Sequence, residues 1–232
     1  MRGEGRRLGF LTRIWAIAWK DILAELRARE MVLSMFLFGF LVILIFNFGI
    51  EPGLREMNLV RPGVFWSAFI FAGMLGLNRS FAGEKENDCL QGLLLCPVDR
   101  AEIYVGKFLA NSVFTIVMGF FVFIFFAALY NVDVLAVGFP LAVIVVLAAV
   151  GFSSVGTLFA AVSVGLKARD VLLAILLFPV MVPVILAAAK SSGVVLDGRG
   201  LGSAGLWLGL LLVYDVVFFS ISVVTFEYVV EE

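Results

Sequence analysis

Residues 31–50 contain no Asp, Glu, Lys or Arg, and five more stretches of this 232-residue chain are free or nearly free of charge over comparable lengths. A helix that crosses the hydrocarbon core of a bilayer needs about 20 consecutive apolar residues. Repeated runs of that length therefore imply a polytopic membrane protein. Composition supports this: 62% of residues are hydrophobic and 15% charged, where a soluble domain carries about 25% charged. A soluble core cannot hide that much apolar chain. The net charge of −1 says nothing about partners and gives no reason to expect nucleic acid, because the sign asymmetry lies along the chain and not in its total.

The charge-poor runs are 31–50, 62–78, 108–132, 134–166, 171–189 and 201–226. They predict an all-α integral membrane protein with six transmembrane helices, spanning about 31–50, 62–78, 108–130, 138–164, 171–189 and 203–226. Residues 1–30 form a separate N-terminal segment ahead of the transmembrane domain at 31–232. The fourth run is longer than one span needs. Pro140 is placed to open that helix, unless tilt or a kink near Gly151, Ser153, Ser154 and Gly156 takes up the excess. Pro179 and Pro183 predict a break in the fifth. The first apolar run is too long and too far in for a cleavable signal peptide, so the mature and encoded chains are expected to be the same.

Basic residues set the orientation. Seven precede the first span: Arg2, Arg6, Arg7, Arg13, Lys20, Arg27 and Arg29. Arg79, Lys85, Arg100 and Lys107 join spans two and three, and Lys167 and Arg169 join four and five. The opposite side holds Arg55, Arg61, Lys190 and Arg199. Both termini are therefore expected in the cytoplasm. Aromatic residues at run ends fit anchors at headgroup depth: Trp66 and Trp207 outside, Trp15 and Trp19 inside, and Tyr104, Tyr130 and Tyr228. Cys89 and Cys96 then lie on the reducing side, where free thiols are expected, and with no histidine in the chain they make a poor zinc site.

Two segments outside the spans carry pattern. In residues 8–30, Leu8, Leu11, Trp15, Trp19, Ile22 and Leu26 recur at three- and four-residue spacing among charges. This predicts an amphipathic helix in the cytoplasmic interface, either a plain anchor or an elbow that moves with the first span. The loop 79–107 is the longest polar stretch. Within it Leu90, Leu93 and Leu94 share a helical face on a segment too short to span, and Pro97 ends it. Asp99 and Glu102 then read as a capping box opening the third span. A short apolar face in a cytoplasmic loop is a docking candidate for a partner, unless it lies on lipid headgroups.

The pattern E-x-E-x-x-x-L-x-x-L-L-x-x-P followed by I-x-x-G-K (Glu84, Glu86, Leu90, Leu93, Leu94, Pro97, Ile103, Gly106 and Lys107) resembles the first cytoplasmic loop of type-2 ABC exporter permeases. The closer resemblance is to the CcmB family, the heme exporter B permeases of cytochrome c maturation. It rests on WKDILAELRARE at 19–30, LGLNRSFAGEKEND at 75–88, GLLLCPVDR at 92–100, SVGLKARDVLLAILLFPVMVP at 163–183 and the run Tyr214, Asp215, Val216, Val217, Phe218. Asp88 stands where many permeases of the wider family have Gly. The resemblance implies a bacterial inner-membrane subunit whose short coupling helix engages an ATPase on another chain (CcmA-like). It implies membrane partners (CcmC-like and CcmD-like), a homodimer within the complex, and release of a heme-loaded periplasmic chaperone, CcmE. ATP would be bound by the partner, and heme would be a passenger and not a cofactor of this chain.

Asp215 is the acid set deepest in a predicted span. An ionised carboxylate there is costly, so Asp215 should face the bundle or carry a proton, as a conformational or substrate-path residue or as a polar packing contact. With no histidine, a tight axial heme site in this chain is not expected. Met31, Met35, Met74, Met118 and Met181 read as packing. There is no G-x-x-x-x-G-K-[ST] loop and no H-E-x-x-H motif, so ATP hydrolysis is assigned to a partner and no enzyme activity to this chain. One intramembrane acid is too few for a proton-coupled transporter. The alternative to a transmission subunit is a direct conduit for heme or another amphiphile, which would need a polar or Met-lined path converging on Asp215.

Overall fold

The computed structural model describes residues 9–49, 57–86, 98–163 and 169–229, with side chains at 9–49, 60–78, 98–163 and 171–229. Among these residues the chain forms seven α-helices and one short 3-10 turn, and no strand. They are α1 (Phe10–Ala28), α2 (Glu30–Gly49), α3 (Met57–Glu86), α4 (Arg100–Leu129), α5 (Val134–Ser163), α6 (Arg169–Leu196) and α7 (Gly205–Val229), with the 3-10 turn Leu201–Ala204 ahead of α7. Six segments are long and apolar enough to cross a membrane: Glu30–Gly49, Val60–Asn78, Arg100–Leu129, Val134–Ser163, Val171–Leu196 and Leu201–Val229. The six charge-poor runs thus each seed one spanning helix.

The ends of the helices follow local chemistry. Arg29 adopts a left-handed conformation (φ 60°) and gives its N–H to Glu25 O at 2.7 Å, closing α1. The Glu25 carboxylate accepts from the Met31 N–H at 2.7 Å, filling one of the free donors at the start of α2. The elbow is thus a sharp turn centred on Arg29. The capping box at Asp99 and Glu102 opens α4, as the sequence predicts.

Three expectations are corrected. Helix α5 opens at Val134 and not at Pro140, because the Asp133 carboxylate accepts from the N–H groups of Leu135 and Ala136 at 3.0 and 3.3 Å. Pro140 lies inside it. Helix α6 runs unbroken through Pro179 and Pro183 and continues past Lys190 to Leu196. Packed neighbouring helices tolerate such prolines, and the Tyr214 hydroxyl, donating to Val180 O at 3.0 Å, ties α7 to α6 between them. Three of the expected interfacial anchors are buried instead. Trp66 donates from its indole N–H to Ser192 Oγ at 3.0 Å, tying α3 to α6. Tyr104 donates to Ser154 O at 2.8 Å, tying α4 to α5, and Tyr130 is enclosed at the end of α4. Trp15, Trp19 and Tyr228 do face outward.

The core lies where α3, α4 and α5 meet: Phe65 and Phe69 of α3, Met118, Val122 and Phe126 of α4, and Ile144, Val145 and Phe152 of α5. Helix α2 packs on α3 and α4, while α6 and α7 pack on α5. Polar side chains join α4 to α5 inside the bundle, with Asn111 donating to Thr157 Oγ1 at 2.9 Å and Ser153 to Thr115 Oγ1 at 3.3 Å. Met31, Met35, Met118 and Met181 are buried packing residues. The outward surface is apolar, including Leu33, Leu37, Ile45 and Phe48 of α2. That surface suits lipid and would be a liability in water.

Candidate functional site

The polar chemistry of the described residues concentrates where α1 lies across the first turns of α4. Residues 13, 17 and 21 of α1 follow one another at four-residue spacing and share a face. Across from them stand residues 102, 106 and 107 of α4. Arg13 Nη2 lies 2.8 Å from Glu102 Oε1, and Lys107 Nζ lies 3.5 Å from Asp21 Oδ2. Glu102 is fully buried and Lys107 almost so, at 0% and 3% side-chain exposure. The other oxygen of Glu102 accepts from the Asp99 N–H at 3.2 Å, so one carboxylate both caps α4 and holds α1.

Between the two ion pairs the helices nearly touch. A Cβ added at Gly106 would fall 2.7 Å from Ile17 Cγ2 and 3.1 Å from Ile14 O, too close for any side chain. Ile14, Ile17 and Ala18 are buried against this contact. Of the apolar stripe picked out in the sequence, Leu11, Trp15, Trp19 and Leu26 point away from the bundle, Ile22 packs against the core, and Leu8 lies outside the described residues. Gly106 and Lys107, which end the I-x-x-G-K pattern, thus form the seat of α1, while Ile103 is buried in the core. Arg100 donates to Glu227 O at 3.3 Å, bringing the end of α7 to the same place. Sequence reasoning missed this clamp. Its signal was the pairing of plus at 13 and minus at 21 with minus at 102 and plus at 107.

The residues expected to engage a partner are divided. Glu84 and Glu86 lie in the last turn of α3, while Leu90, Leu93, Leu94 and Pro97 fall outside the described residues, as do Cys89 and Cys96. Segment 87–97 leaves α3 at Glu86 and re-enters the described chain at Val98, just ahead of the capped start of α4. Asp215 stands apart from the clamp. It is buried on α7, its Oδ1 would lie 2.5 Å from a Cβ at Gly151 of α5, and that oxygen has no hydrogen-bond donor among the described residues. Gly151 therefore makes the room that a buried carboxyl needs between two helices.

A family model described as CcmB protein matches residues 12–230. The chain belongs to the CcmB family. The match runs from the first turn of α1 to just past the end of α7, so the clamp, segment 87–97 and Asp215 all lie within the CcmB region. The chain is similar to heme exporter protein B of Pseudomonas aeruginosa, 28% identical over 171 residues, covering 74% of this chain and 76% of that protein. It is 25% identical to heme exporter protein B of Bradyrhizobium diazoefficiens over 196 residues, 81% and 84% of the two chains. It is likewise 25% identical to that of Haemophilus influenzae over 182 residues, 78% and 80%. Family membership and six membrane-length helices make this CcmB-family chain a multi-pass protein of the bacterial inner membrane. It is a permease-type membrane subunit.

Proposed function

We propose that this chain is the membrane subunit of an ABC complex for cytochrome c maturation, coupling ATP hydrolysis in a CcmA-like partner to delivery of heme or release of a heme-loaded chaperone. The similarity to heme exporter B proteins supports heme as the passenger. The observation that carries the coupling reading is the clamp of α1 on α4, directly after segment 87–97. A push delivered to that segment enters α4 at its capped first turn. The Arg13–Glu102 and Asp21–Lys107 pairs then move α1 and α4 as one body, and the turn at Arg29 passes the motion to α2. In this reading Leu90, Leu93, Leu94 and Pro97 form the coupling helix, Glu84 and Glu86 flank it, and the outward stripe of α1 lies on the cytoplasmic membrane surface.

CcmC-like and CcmD-like membrane partners, the chaperone CcmE and a second copy of this chain complete the proposed assembly. The close seating of Asp215 on Gly151 supports a transmission subunit over a direct conduit, since a carboxyl packed helix to helix lines no path. Co-expression with the CcmA-like ATPase and affinity purification in mild detergent tests the assignment. The ATPase should copurify, and its hydrolysis should rise in the complex. Purification of this chain free of the ATPase under conditions that keep the bundle folded would contradict it.

A further inference from the structure

At the end of the bundle opposite α1, the start of α3 and the end of α6 leave an open cleft. One part, about 500 Å³, is lined by Arg61, Leu196, Asp197 and Arg199. An adjoining part, about 360 Å³, reaches Lys190 and shares Asp197 and Arg199 with the first. Three cations and one carboxylate thus line one hollow. Asp197 is taken up by Arg199, 2.9 Å away. Neither Arg61 nor Lys190 has a carboxylate partner among the described residues.

One donor on the cleft wall lacks an acceptor, and two lie behind it. Arg61 Nε is buried with no hydrogen-bond partner among the described residues; the hydroxyls of Tyr130, within electrostatic reach of Arg61, and of Ser191, next to Lys190, are likewise without one there, although neither residue lines the cleft. Leaving a buried donor unpaired is unfavourable. Such a cost is lifted when an acceptor arrives. The helix dipole adds to the imbalance: Arg61 is the fifth residue of α3, at the end where partial positive charge already gathers and anions are favoured. A guanidinium in one part of the cleft and an ammonium in the part that adjoins it suit a phosphate or carboxylate. The remaining wall is apolar, with Pro62, Val194 and Leu196, which suits a hydrocarbon or ring system attached to the head. The Trp66–Ser192 hydrogen bond joins the same two helices, with Trp66 five residues beyond Arg61 and Ser192 two beyond Lys190.

We propose that this cleft binds the anionic head, a phosphate or a carboxylate, of an amphiphile between Arg61 and Lys190. This site lies at the far end of the bundle from the ATPase-facing segment of the proposed function and stands whether or not that coupling reading holds. Two sources share the chemistry: the headgroup of an acidic phospholipid, or the side-chain acids of a tetrapyrrole.

The test uses the full chain in zwitterionic nanodiscs. Phosphatidylglycerol against phosphatidylcholine is read by native mass spectrometry. Metal-free protoporphyrin IX against its dimethyl ester is read by quenching of tryptophan fluorescence. At least one acidic probe should bind tenfold or more tightly than its neutral counterpart. R61Q/K190Q should erase that preference, R61K/K190R should keep most of it, and the melting temperature without probe should hold within a few degrees. If the double substitution lowers the melting temperature further, R61Q and K190Q are read singly, each with a partial loss expected. Preference for the phospholipid alone assigns the site to lipid, and preference for the porphyrin alone assigns it to a tetrapyrrole acid. Equal binding of acidic and neutral probes, or a preference untouched by these substitutions, overturns the proposal.

Discussion

Removing Arg13 should destabilise the protein far more than its partly exposed position suggests. The Arg13 side chain is 31% exposed, but its partner Glu102 is fully buried, with 2.8 Å between their polar atoms. Two unit charges 4 Å apart attract by about 4 kcal/mol at an effective dielectric near 20. Taking one partner from a buried pair costs about 3–5 kcal/mol, because the survivor is left uncompensated. Hydration of Arg13 and the bond that Glu102 keeps to the Asp99 N–H place Arg13→Ala at the lower end, about 3 kcal/mol. Adding Glu102→Gln removes the buried charge yet leaves an amide oxygen to accept from Asp99. The double variant should therefore sit only about 1 kcal/mol below the parent, the scale of one ordinary hydrogen bond. Unfolding by SDS in mixed micelles, followed through tryptophan fluorescence, measures this directly, since Trp15 and Trp19 report from α1. A loss under about 0.5 kcal/mol for Arg13→Ala, typical of an unremarkable surface change, or simple additivity in the double variant, would refute the clamp.

The seat of α1 gives a second expectation. Gly106→Ala should cost about 1–3 kcal/mol by overpacking, and adding Ile17→Ala should recover part of it, as read by the same unfolding assay. At the buried acid of α7, Asp215→Asn should reduce cytochrome c maturation in cells without loss of insertion, whereas Asp215→Lys should abolish it, at matched expression. Equal failure of both would mean that Asp215 must ionise, and that its role is chemical and not packing.

The spans were legible because charge is excluded from a bilayer core whatever the tertiary packing, so length and charge alone locate six helices. Rotation about each helix axis was not legible. Helices apolar on all sides have no polar face to orient them, so Trp66, Tyr104 and Tyr130 could be placed in depth but not in azimuth, and all three turned inward. Pro179 and Pro183 predict a break because each removes a backbone donor; packing against α5 and α7 holds the helix continuous through both. The burial of Asp215 was expected, since a carboxylate has no place in lipid, but its partner surface, Gly151, is a contact between distant helices that no local pattern announces. The clamp escaped because charges interleaved with apolar residues on α1 look the same whether they face water or a complementary helix.

The central claim is that this chain receives mechanical work through segment 87–97, and the double substitution Leu93→Asp with Leu94→Asp tests it most directly. Both positions lie outside the spans, so insertion and the basic bias of the cytoplasmic side should persist. An apolar ridge seated in a partner's pocket behaves as a hot spot worth about 2 kcal/mol or more, and two desolvated carboxylates add to that loss. Copurification of the CcmA-like ATPase in mild detergent, with its hydrolysis rate measured in the same preparation, is the readout. The account predicts a folded, inserted protein that neither retains the ATPase nor stimulates it. Normal retention with normal stimulation would contradict it and leave the segment without a part in coupling.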